Sequence, residues 1–431
     1  MYSNPSSKNR RSTSFVISFP SLPSFKALPR TVELYQEAYM HDRLVISFPK
    51  ISDVWFKTLK RGVQIQFSWK QGTSSNVWIG YVNSVNRRTV GQREQLMEIT
   101  CVGASAVLKQ RSQEVFKNKT IPEVAQIIAA KYKLHFVGEP DSRRFPHLPI
   151  SGQSYWQWLV EHAKLIGYVV YMDGITLVFR PIDKVLDSGA SNAPLLSMHS
   201  TDLPINSQPF DRTLDELRVI NGDYNEGTEF SNTNKIVGGI DPITGKPLYS
   251  AKIPNKIGRN LRVKPSGVIY DEYQTDKVVN TTTAVESVAT GAAQLSRFNI
   301  PAKIVGQGDV RTRPYSLVQV SGTGDVTDGF WVVLKVHHMI HRVGDYQMEI
   351  SAVTDGIGQN TNDSFRKANL SDVGIVDVAA ILSGNTNTAN LSQVNAKVAS
   401  KYPMFAEVGQ GFVDNPMYWE VSYRSQEGCC S

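Results

Sequence analysis

The sequence of 431 residues is 41% hydrophobic and 10% aromatic, which is enough apolar material for roughly three folded domains and excludes a disordered chain. The net charge of +7 comes from 46 Lys and Arg against 39 Asp and Glu, and the basic residues form small scattered clusters rather than one stripe, which argues against a DNA-binding protein. Three cysteines exclude a disulfide framework, and no apolar run reaches the length of a transmembrane helix. These features indicate a soluble protein of a reducing cytoplasm, with no membrane partner.

The first part of the chain shows strand alternation after a polar start. Residues 1–35 are rich in Ser, Pro and basic side chains, and we expect them to form a flexible N-terminal arm. Apolar and polar residues then alternate from Leu44 through the strand of Val63 to the strand of Met97, with turn residues between the runs. This pattern predicts a small antiparallel β-barrel or sandwich over residues 36–115, of which we adopt the barrel.

The pattern changes to helical spacing over residues 116–185. Thr120-Ile121-Pro122-Glu123 and Ser154-Tyr155-Trp156-Gln157 are capping boxes that each open a helix, and Gly167 is placed to end the second one. A hairpin from Tyr168 to Arg180 should turn at Asp173-Gly174. We therefore predict an α+β module inserted between two barrels.

A second barrel core is predicted over residues 301–358, around a hairpin from Phe330 to Val353 that turns at Val343-Gly344-Asp345. Strict alternation would place on one strand face Phe330, Val332, Leu334, Val336, His338 and Ile340. Residues 186–300 are predicted to connect the barrels, partly complete the first one and contain a helix from Ala284 to Phe298. We expect residues 359–431 to form a C-terminal extension, with short helices at 375–382 and 391–402.

The two barrels share a repeated sequence pattern, because three segments recur in the same order at offsets of 251, 253 and 255 residues. The fold class predicted from this repeat is α+β and mainly β, with two similar antiparallel β-barrels and an inserted module. The residues that define the repeat are Val63, Ile65, Trp78, Met97 and Ile99 in the first copy and Val318, Val320, Trp331, Met348 and Ile350 in the second.

The order of barrel, capped-helix module and barrel resembles the phage tail baseplate hub family, which includes the late control protein D group and the barrel half of type VI secretion spike proteins. The phrases that carry the resemblance are Thr120–Ile128, Gln153–Leu159 with Gly167-Tyr168, and Val336–Ile340. The likeness covers roughly residues 40–355, and the chain departs from the family in its Ser/Pro-rich arm and Asn-rich C-terminal segment.

The resemblance implies a structural protein of a phage tail. In that family three subunits, each with two similar barrels, close a pseudo-hexameric ring that joins the hexameric tail tube to a central spike or tip. The implied partners are two further copies of the chain, the tail tube or distal tail protein, the spike or tip protein, and the tape measure protein. Genomic DNA would pass only in transit, and the protein would be assembled in the host cytoplasm and reside in the virion tail.

Catalytic and cofactor motifs are missing from the sequence, so we expect neither an enzyme nor a bound cofactor. His337 and His341 share a strand face while His338 points away, so these two are the candidates for a two-histidine metal site. The alternative function is a tail-associated peptidoglycan hydrolase that uses the inserted module. We also predict that one polar strand face looks toward water or the channel: Gln64, Gln66 and Ser68, with Gln347, Glu349 and Ser351.

Overall fold

The computed structural model describes most of the chain before residue 357, and all of the described residues belong to one structural unit. The described residues are 13–25, 27–49, 53–71, 74–90, 94–189, 193–197, 218–220, 233–241, 244–254, 261, 270–274, 281–321, 329–341 and 346–356. The hairpin turn at 343–345 and the short helices predicted after residue 375 lie outside these residues.

The elements follow one another in three groups. The first group is β1 (Thr13–Ser18), β2 (Thr31–Glu37), β3 (Arg43–Pro49), α1 (Asp53–Thr58), β4 (Gln64–Gln71), β5 (Ser74–Val90) and β6 (Glu94–Gly103). After a short 3-10 helix, the inserted group is β7 (Arg111–Lys119), α2 (Ile121–Lys131), β8 (His135–Gly138), β9 (Phe145–Ser154), α3 (Tyr155–Ile166), β10 (Tyr168–Asp173), β11 (Thr176–Pro181) and α4 (Ile182–Gly189). The last group is β12 (Leu195–Ser197), β13 (Arg218–Ile220), β14 (Thr233–Ile240), β15 (Pro247–Tyr249), β16 (Ile253–Pro254), β17 (Tyr270–Gln274), α5 (Thr282–Ser296), β18 (Ile300–Gln307), β19 (Leu317–Ser321), β20 (Gly329–His341) and β21 (Tyr346–Thr354).

A single twelve-stranded sheet contains both copies of the predicted repeat. The first half runs in the order β1-β4-β5-β6-β3-β2, and the second half runs β12-β19-β20-β21-β18-β13. The two halves are joined by antiparallel pairing of β2 with β20. The predicted fold class is therefore confirmed as mainly β with an inserted α+β module, and the two barrel-like halves are open and continuous with each other.

The two halves share their pairing pattern down to one irregularity. The register of β5 on β6 shifts between Val82 and Ser84, and that of β20 on β21 shifts between Val333 and Lys335. A bulge adds one residue to the long strand and reverses which of its later side chains face the core. The strict alternation expected across β20 was therefore wrong, because Trp331 and Val333 share the core cluster with Val336 on the far side of the bulge.

Part of the predicted flexible arm belongs to the sheet. β1 pairs with β4 over six residues, from Thr13 opposite Gln71 to Ser18 opposite Gln66. Phe19 and Phe25 are both buried, and the Phe25 ring meets the Trp55 ring edge-on at 5.0 Å. The cause is that apolar side chains within this polar segment complete the core of the first half. The domain boundaries expected from the sequence otherwise stay predictions.

The inserted module forms as its local signals predict. Thr120 and Ser154 are the N-caps of α2 and α3, each in a complete capping box, and Gly167 ends α3 in the left-handed conformation at φ 75°. β10 and β11 form the predicted hairpin on either side of the Asp173-Gly174 turn, and β8 adds to β11 in parallel. Two helices and a small sheet thus enclose a separate core, which includes Trp158 and Phe179.

Helix α5 packs closely against the module. The helix predicted from Ala284 to Phe298 begins two residues earlier, because the Thr281 side chain accepts a hydrogen bond from the Ala284 amide. A Cβ on Gly291 would lie 2.5 Å from the carbonyl oxygen of Leu165, so only glycine lets α5 approach the end of α3 this closely. Beyond α5, the fully buried Arg297 pairs with Asp183 and fastens the helix end to α4.

Candidate functional site: the joint between the sheet halves

The joint is the antiparallel pairing of β2 with β20, which runs from Thr31 opposite His341 to Glu37 opposite Lys335. β20 is long enough to have two neighbours on one edge, since β19 pairs with residues before the bulge and β2 pairs with residues after it. The other edge of β20 pairs with β21 along the strand. The second half therefore accepts a strand of the first half at a position that its own strands leave open.

Side chains on the polar face of the joint form charged and stacked contacts. The His337 ring stacks on Tyr35 with centroids 3.9 Å apart, and its Nε2 lies 3.3 Å from Glu33 Oε2. The His337 ring and the Tyr35 hydroxyl lower the pKa of Glu33 to about 2. The carboxylate is thus held ionised, and it accepts a hydrogen bond from Tyr35 of its own strand while it faces His337 across the joint.

The opposite face of the joint covers a buried polar chain. His338 is fully buried, and its Nε2 lies 3.1 Å from the carbonyl oxygen of Thr312, so that nitrogen must carry the proton. Its Nδ1 then accepts from the Tyr346 hydroxyl at 3.0 Å, and the Trp69 indole N–H donates to the same hydroxyl oxygen at 3.3 Å. Because Trp69 belongs to the first half and the other groups to the second, this chain fixes the two halves to each other.

Burial keeps the imidazole ring of His338 neutral. Desolvation, with a smaller contribution from the neighbouring His337, lowers the pKa of His338 to about 4. The carbonyl of Thr312 and the charge of Asp309 act in the opposite direction and only partly offset this effect. Burial likewise raises the pKa of the Tyr346 hydroxyl. A neutral, fully bonded chain of this kind stabilises a unique packing and offers no proton acceptor to solvent.

The polar strand face is accessible to solvent as far as the described side chains show. Gln64 and Gln347 are exposed, and Gln66, Ser68, Glu349 and Ser351 are half-buried, so no member of the predicted set lies in a dry core. Charges of opposite sign are paired on this face, with Lys303 Nζ 2.5 Å from Glu349 Oε1 and Lys335 Nζ 3.9 Å from Glu37 Oε2. The face is hydrophilic, and its paired charges create no large electrostatic potential of one sign.

A crevice lies between the first half and the hairpin of the module. Asp42 accepts hydrogen bonds from Gln36 Nε2 at 2.9 Å and Trp78 Nε1 at 3.1 Å, and burial raises its pKa to about 6 against these bonds. On the opposite wall Arg313 donates to Asp173 at 2.5 Å. The free volume is about 20 Å³, which is room for about one water molecule. The crevice therefore fits a packing contact better than a substrate.

The histidine candidates are not brought together as metal ligands. His337 is engaged with Tyr35 and Glu33, and His341 is exposed at the end of β20. Within the described part of the chain, no group of three or more His, Cys, Asp or Glu side chains is placed to hold a metal ion. Over the same part, no helix has the length and apolar character that crossing a membrane requires.

The repeat-defining residues lie on equivalent strands, with a local adjustment. When the two halves are superposed at their bulges, Met97 is equivalent to Met348 and Ile99 to Ile350, as expected from the sequence. The residue equivalent to Val318 is Ile65 rather than Val63. Ile65, Trp78, Met97 and Ile99 are buried in the first half, as are Val318, Val320, Trp331, Met348 and Ile350 in the second. Val63 precedes β4 and is half-buried.

The two tryptophans occupy neighbouring rather than equivalent positions. When the two halves are aligned by their strand registers, Trp331 is equivalent to Gly80 and Trp78 is equivalent to Gly329. The Trp78 ring lies over Gly80, since a Cβ on that glycine would be 2.3 Å from the ring. Each half thus has one tryptophan and one glycine at these two positions, in opposite order. A sequence comparison that matches tryptophan with tryptophan is displaced by two residues for this reason.

Sequence reasoning missed Tyr35, Glu33 and Asp42 as members of the joint and its surroundings. The signal available was the alternation of β2, in which Val32 and Leu34 are buried between polar neighbours. That pattern identifies a strand but not its partner, and the partner lies about three hundred residues away in the sequence.

The fold consists of two open sheet halves and an inserted α+β module, and solved structures of tail proteins are similar to it. The tail protein from Neisseria meningitidis MC58 has this fold, with 14% identity, coverage of 80% of this chain and 98% of that one, and a TM-score of 0.55. The 43 kDa tail protein of prophage MuSo2 from Shewanella oneidensis is similar at 15% identity, 80% and 99% coverage and a TM-score of 0.52.

A third structure, the E. coli c3393 component of the type VI secretion system, gives a TM-score of 0.47 at 11% identity, with 81% of this chain and 79% of that one covered. No family model matches the sequence, and no curated protein matches it either. The fold expected from the resemblance to tail proteins is therefore confirmed by structure rather than by sequence.

Proposed function

We propose that this chain is a structural hub protein of a bacteriophage tail baseplate or tail tip. Three copies form a homotrimeric, pseudo-hexameric ring that joins the hexameric tail tube to the central spike or tip. The observation that carries the proposal is the internal duplication: two halves with the same strand order and the same bulge lie in one chain. Two alike halves in each of three subunits offer six alike positions to a six-fold partner.

The polar, charge-balanced strand face supports the assignment of a channel wall. Exposed glutamines and paired charges tolerate water on one side of the sheet, while the other side packs the core. Such a wall would let genomic DNA pass without holding it. The ring would bind the tail tube or distal tail protein on one side and the spike, tip or tape measure protein on the other.

The proposed role is non-enzymatic and places the protein in the virion tail after assembly in the host cytoplasm. The support comes from the solved structures of the same fold, which are described as tail proteins. In a peptidoglycan zymogram we expect no clearing by the purified chain. Clearing that disappears on replacement of a single acidic residue would contradict the structural role and favour a hydrolase.

Mass photometry followed by electron microscopy tests the ring. The expected particle has about three times the 47.9 kDa mass of the chain and shows a central channel. Concentrations from the nanomolar range of mass photometry to the micromolar range of analytical ultracentrifugation should be covered, because subunit association depends on concentration. A chain that stays monomeric throughout, alone and with its tube protein, would contradict the proposal.

A further inference from the structure

The crevice between the first half and the module hairpin contains a buried oxygen atom that lacks a hydrogen-bond donor. Gln36 is 9% exposed and donates from Nε2 to Asp42 Oδ2 at 2.9 Å, but no described group donates to Gln36 Oε1. A buried acceptor without a donor is unfavourable, and most buried polar atoms of folded proteins have a partner. A donor is therefore expected beside this oxygen.

Asp42 is the neighbouring group that can supply the donor. Its Oδ2 accepts from both Gln36 Nε2 and Trp78 Nε1, so Oδ1 is the oxygen that is left to carry a proton. A carboxyl group and a carboxamide group have the same planar shape, and a protonated carboxyl donates from one oxygen while it accepts at the other. A protonated Asp42 thus donates to Gln36 Oε1 and closes a cyclic pair of hydrogen bonds.

The charged groups around the crevice leave Asp42 without a cation. Glu37 lines the crevice and lies 3.9 Å from Lys335 Nζ. Asp173 of the module hairpin lines it as well and accepts from Arg313 at 2.5 Å. No described Lys, Arg or His side chain forms an ion pair with Asp42, and both of its hydrogen-bond donors are neutral. The protonated form is therefore favoured at this position.

The titration of Asp42 is displaced in the same direction. Burial raises the pKa of Asp42 from 3.8 to about 6, although the bonds from Gln36 and Trp78 act in the opposite direction. The adjacent His41 is already neutral in this range, because desolvation and the charge of Lys109 lower its pKa to about 4. Asp42 therefore changes its charge between about pH 5 and pH 7, where His41 does not.

We propose that the pair of Asp42 and Gln36 is a proton-dependent contact that holds the module hairpin against the first half. The pair lines the crevice together with Met172 and Asp173 of the hairpin. Tyr171 of the same hairpin stays neutral, since burial raises the pKa of its hydroxyl. Loss of the proton leaves an unpaired charge and an unsatisfied oxygen in the crevice, and both are better accommodated when water enters.

The direction of the pH effect follows from the raised pKa. A carboxyl group that binds its proton more tightly in the folded state than in the open state stabilises the closed crevice at low pH. This contribution is lost as the pH rises through the folded pKa of about 6. The hairpin is thus held most firmly below pH 6 and is loosened at higher pH.

Hydrogen exchange of the full chain, followed by mass spectrometry from pH 5 to pH 8, tests the proposal. After correction for the intrinsic pH dependence of amide exchange, the protection of β10 and β11 should fall about tenfold over this range. A parent protein whose hairpin protection stays constant from pH 5 to pH 8 overturns the proposal. This measurement requires no substitution, so it decides even where a variant fails to fold.

Asp42→Asn is the variant that separates the pair from other causes. Its side-chain Nδ2 donates to Gln36 Oε1 and its Oδ1 accepts from Gln36 Nε2, so the cyclic pair forms without a proton that can be lost. The hairpin should be as protected at pH 8 as in the parent at pH 5, with no further change with pH. Protection that is lower at every pH, or that keeps the tenfold dependence, contradicts the proposal.

Asp173→Asn is the matched control, because it neutralises another carboxylate of the same crevice, whose side chain is 44% exposed and paired with Arg313. It should keep the tenfold pH dependence of the parent, whatever constant change in protection the lost ion pair causes. Loss of the dependence here and not in Asp42→Asn would assign the titration to Asp173 and overturn the proposal. Thermal melting of each protein verifies that the fold is retained.

Discussion

At the scale of single residues, the buried chain from Trp69 through Tyr346 and His338 to Thr312 binds the two sheet halves together. Alternation alone predicts that His337 and His338 face opposite sides of β20, since both follow the bulge. It does not predict which side is buried, because the bulge between Val333 and Lys335 reverses the assignment and leaves no mark in the sequence. In addition, Trp69 and Tyr346, the first two residues of this hydrogen-bonded series, are 277 residues apart in the sequence.

His338 should make stability depend on pH. Its pKa is lowered from 6.5 to about 4 by burial, so the unfolded state binds the proton first as the pH falls. The free energy of unfolding should therefore lose about 3 kcal/mol from this group between pH 6.5 and pH 4, at about 1.4 kcal/mol for each unit of pKa. His338→Gln should remove that loss, as measured by denaturant unfolding at several pH values.

The control for this experiment is His341→Gln, which changes an exposed histidine of the same strand. Its unfolding free energy should follow the parent at every pH. Two half-buried histidines contribute to the slope in both proteins, since partial burial also lowers the pKa of His41 and His162 to about 4. Equal pH dependence in parent and His338→Gln would show that His338 is not held neutral.

At the scale of elements, local sequence signals were sufficient to predict those helices and turns whose defining contacts join residues close together in the sequence. The capping boxes at Thr120 and Ser154 and the hairpin turn at Asp173-Gly174 form as expected, because each joins residues that are three positions apart in the sequence. The pairing of β2 with β20 could not be derived in this way. Its register is fixed by packing of both halves, and the sequence pattern of β2 fits many partners equally well.

Gly291 gives a prediction at the contact between α3 and α5. Alanine is intrinsically better than glycine inside a helix by about 1 kcal/mol, so propensity alone predicts that Gly291→Ala stabilises the protein. The added Cβ would meet backbone atoms of Leu165 and Gly167 at 2.5 and 2.6 Å, which neither helix can avoid without moving. We expect a net loss of about 1–3 kcal/mol in the free energy of unfolding, measured by chemical denaturation.

Glu286→Ala is the matched substitution for this test, because it adds helix propensity on the exposed face of the same helix. It should change the free energy of unfolding by less than about 0.5 kcal/mol. A stabilised Gly291→Ala protein would mean that the two helices lie farther apart than the structure has them.

At the scale of the whole molecule, residues 13–25 of the predicted arm complete the first sheet half. Its Ser- and Pro-rich composition suggested an arm, since composition averages over the few apolar positions that matter. Phe19 and Phe25 meet at 5.0 Å, and Phe25 also packs edge-on against Phe48 at 5.5 Å. The contact with Phe48 joins residues from different parts of the first half, and no periodicity within the segment predicts it.

Replacement of Phe25 by alanine tests this role. The phenyl ring is 6% exposed, so its removal should lower the free energy of unfolding by about 3–5 kcal/mol, measured by denaturant titration followed by tryptophan fluorescence. Leu28→Ala, at a residue that is 63% exposed, should cost less than about 0.5 kcal/mol. Equal and negligible effects of the two changes would restore the arm as a separate, unpacked segment.

The duplication of the sheet is close but incomplete, and one exception among the described strands concerns the outermost ones. β1 runs antiparallel to β4, whereas the corresponding β12 runs parallel to β19. In the proposed ring, these outer strands would therefore alternate between two kinds, repeating every 120° instead of every 60°. A partner bound at the bulges would meet six similar places, and one bound at the outer strands would meet three. The proposed hub would thus present two symmetries by offering different strands of its sheet to different neighbours.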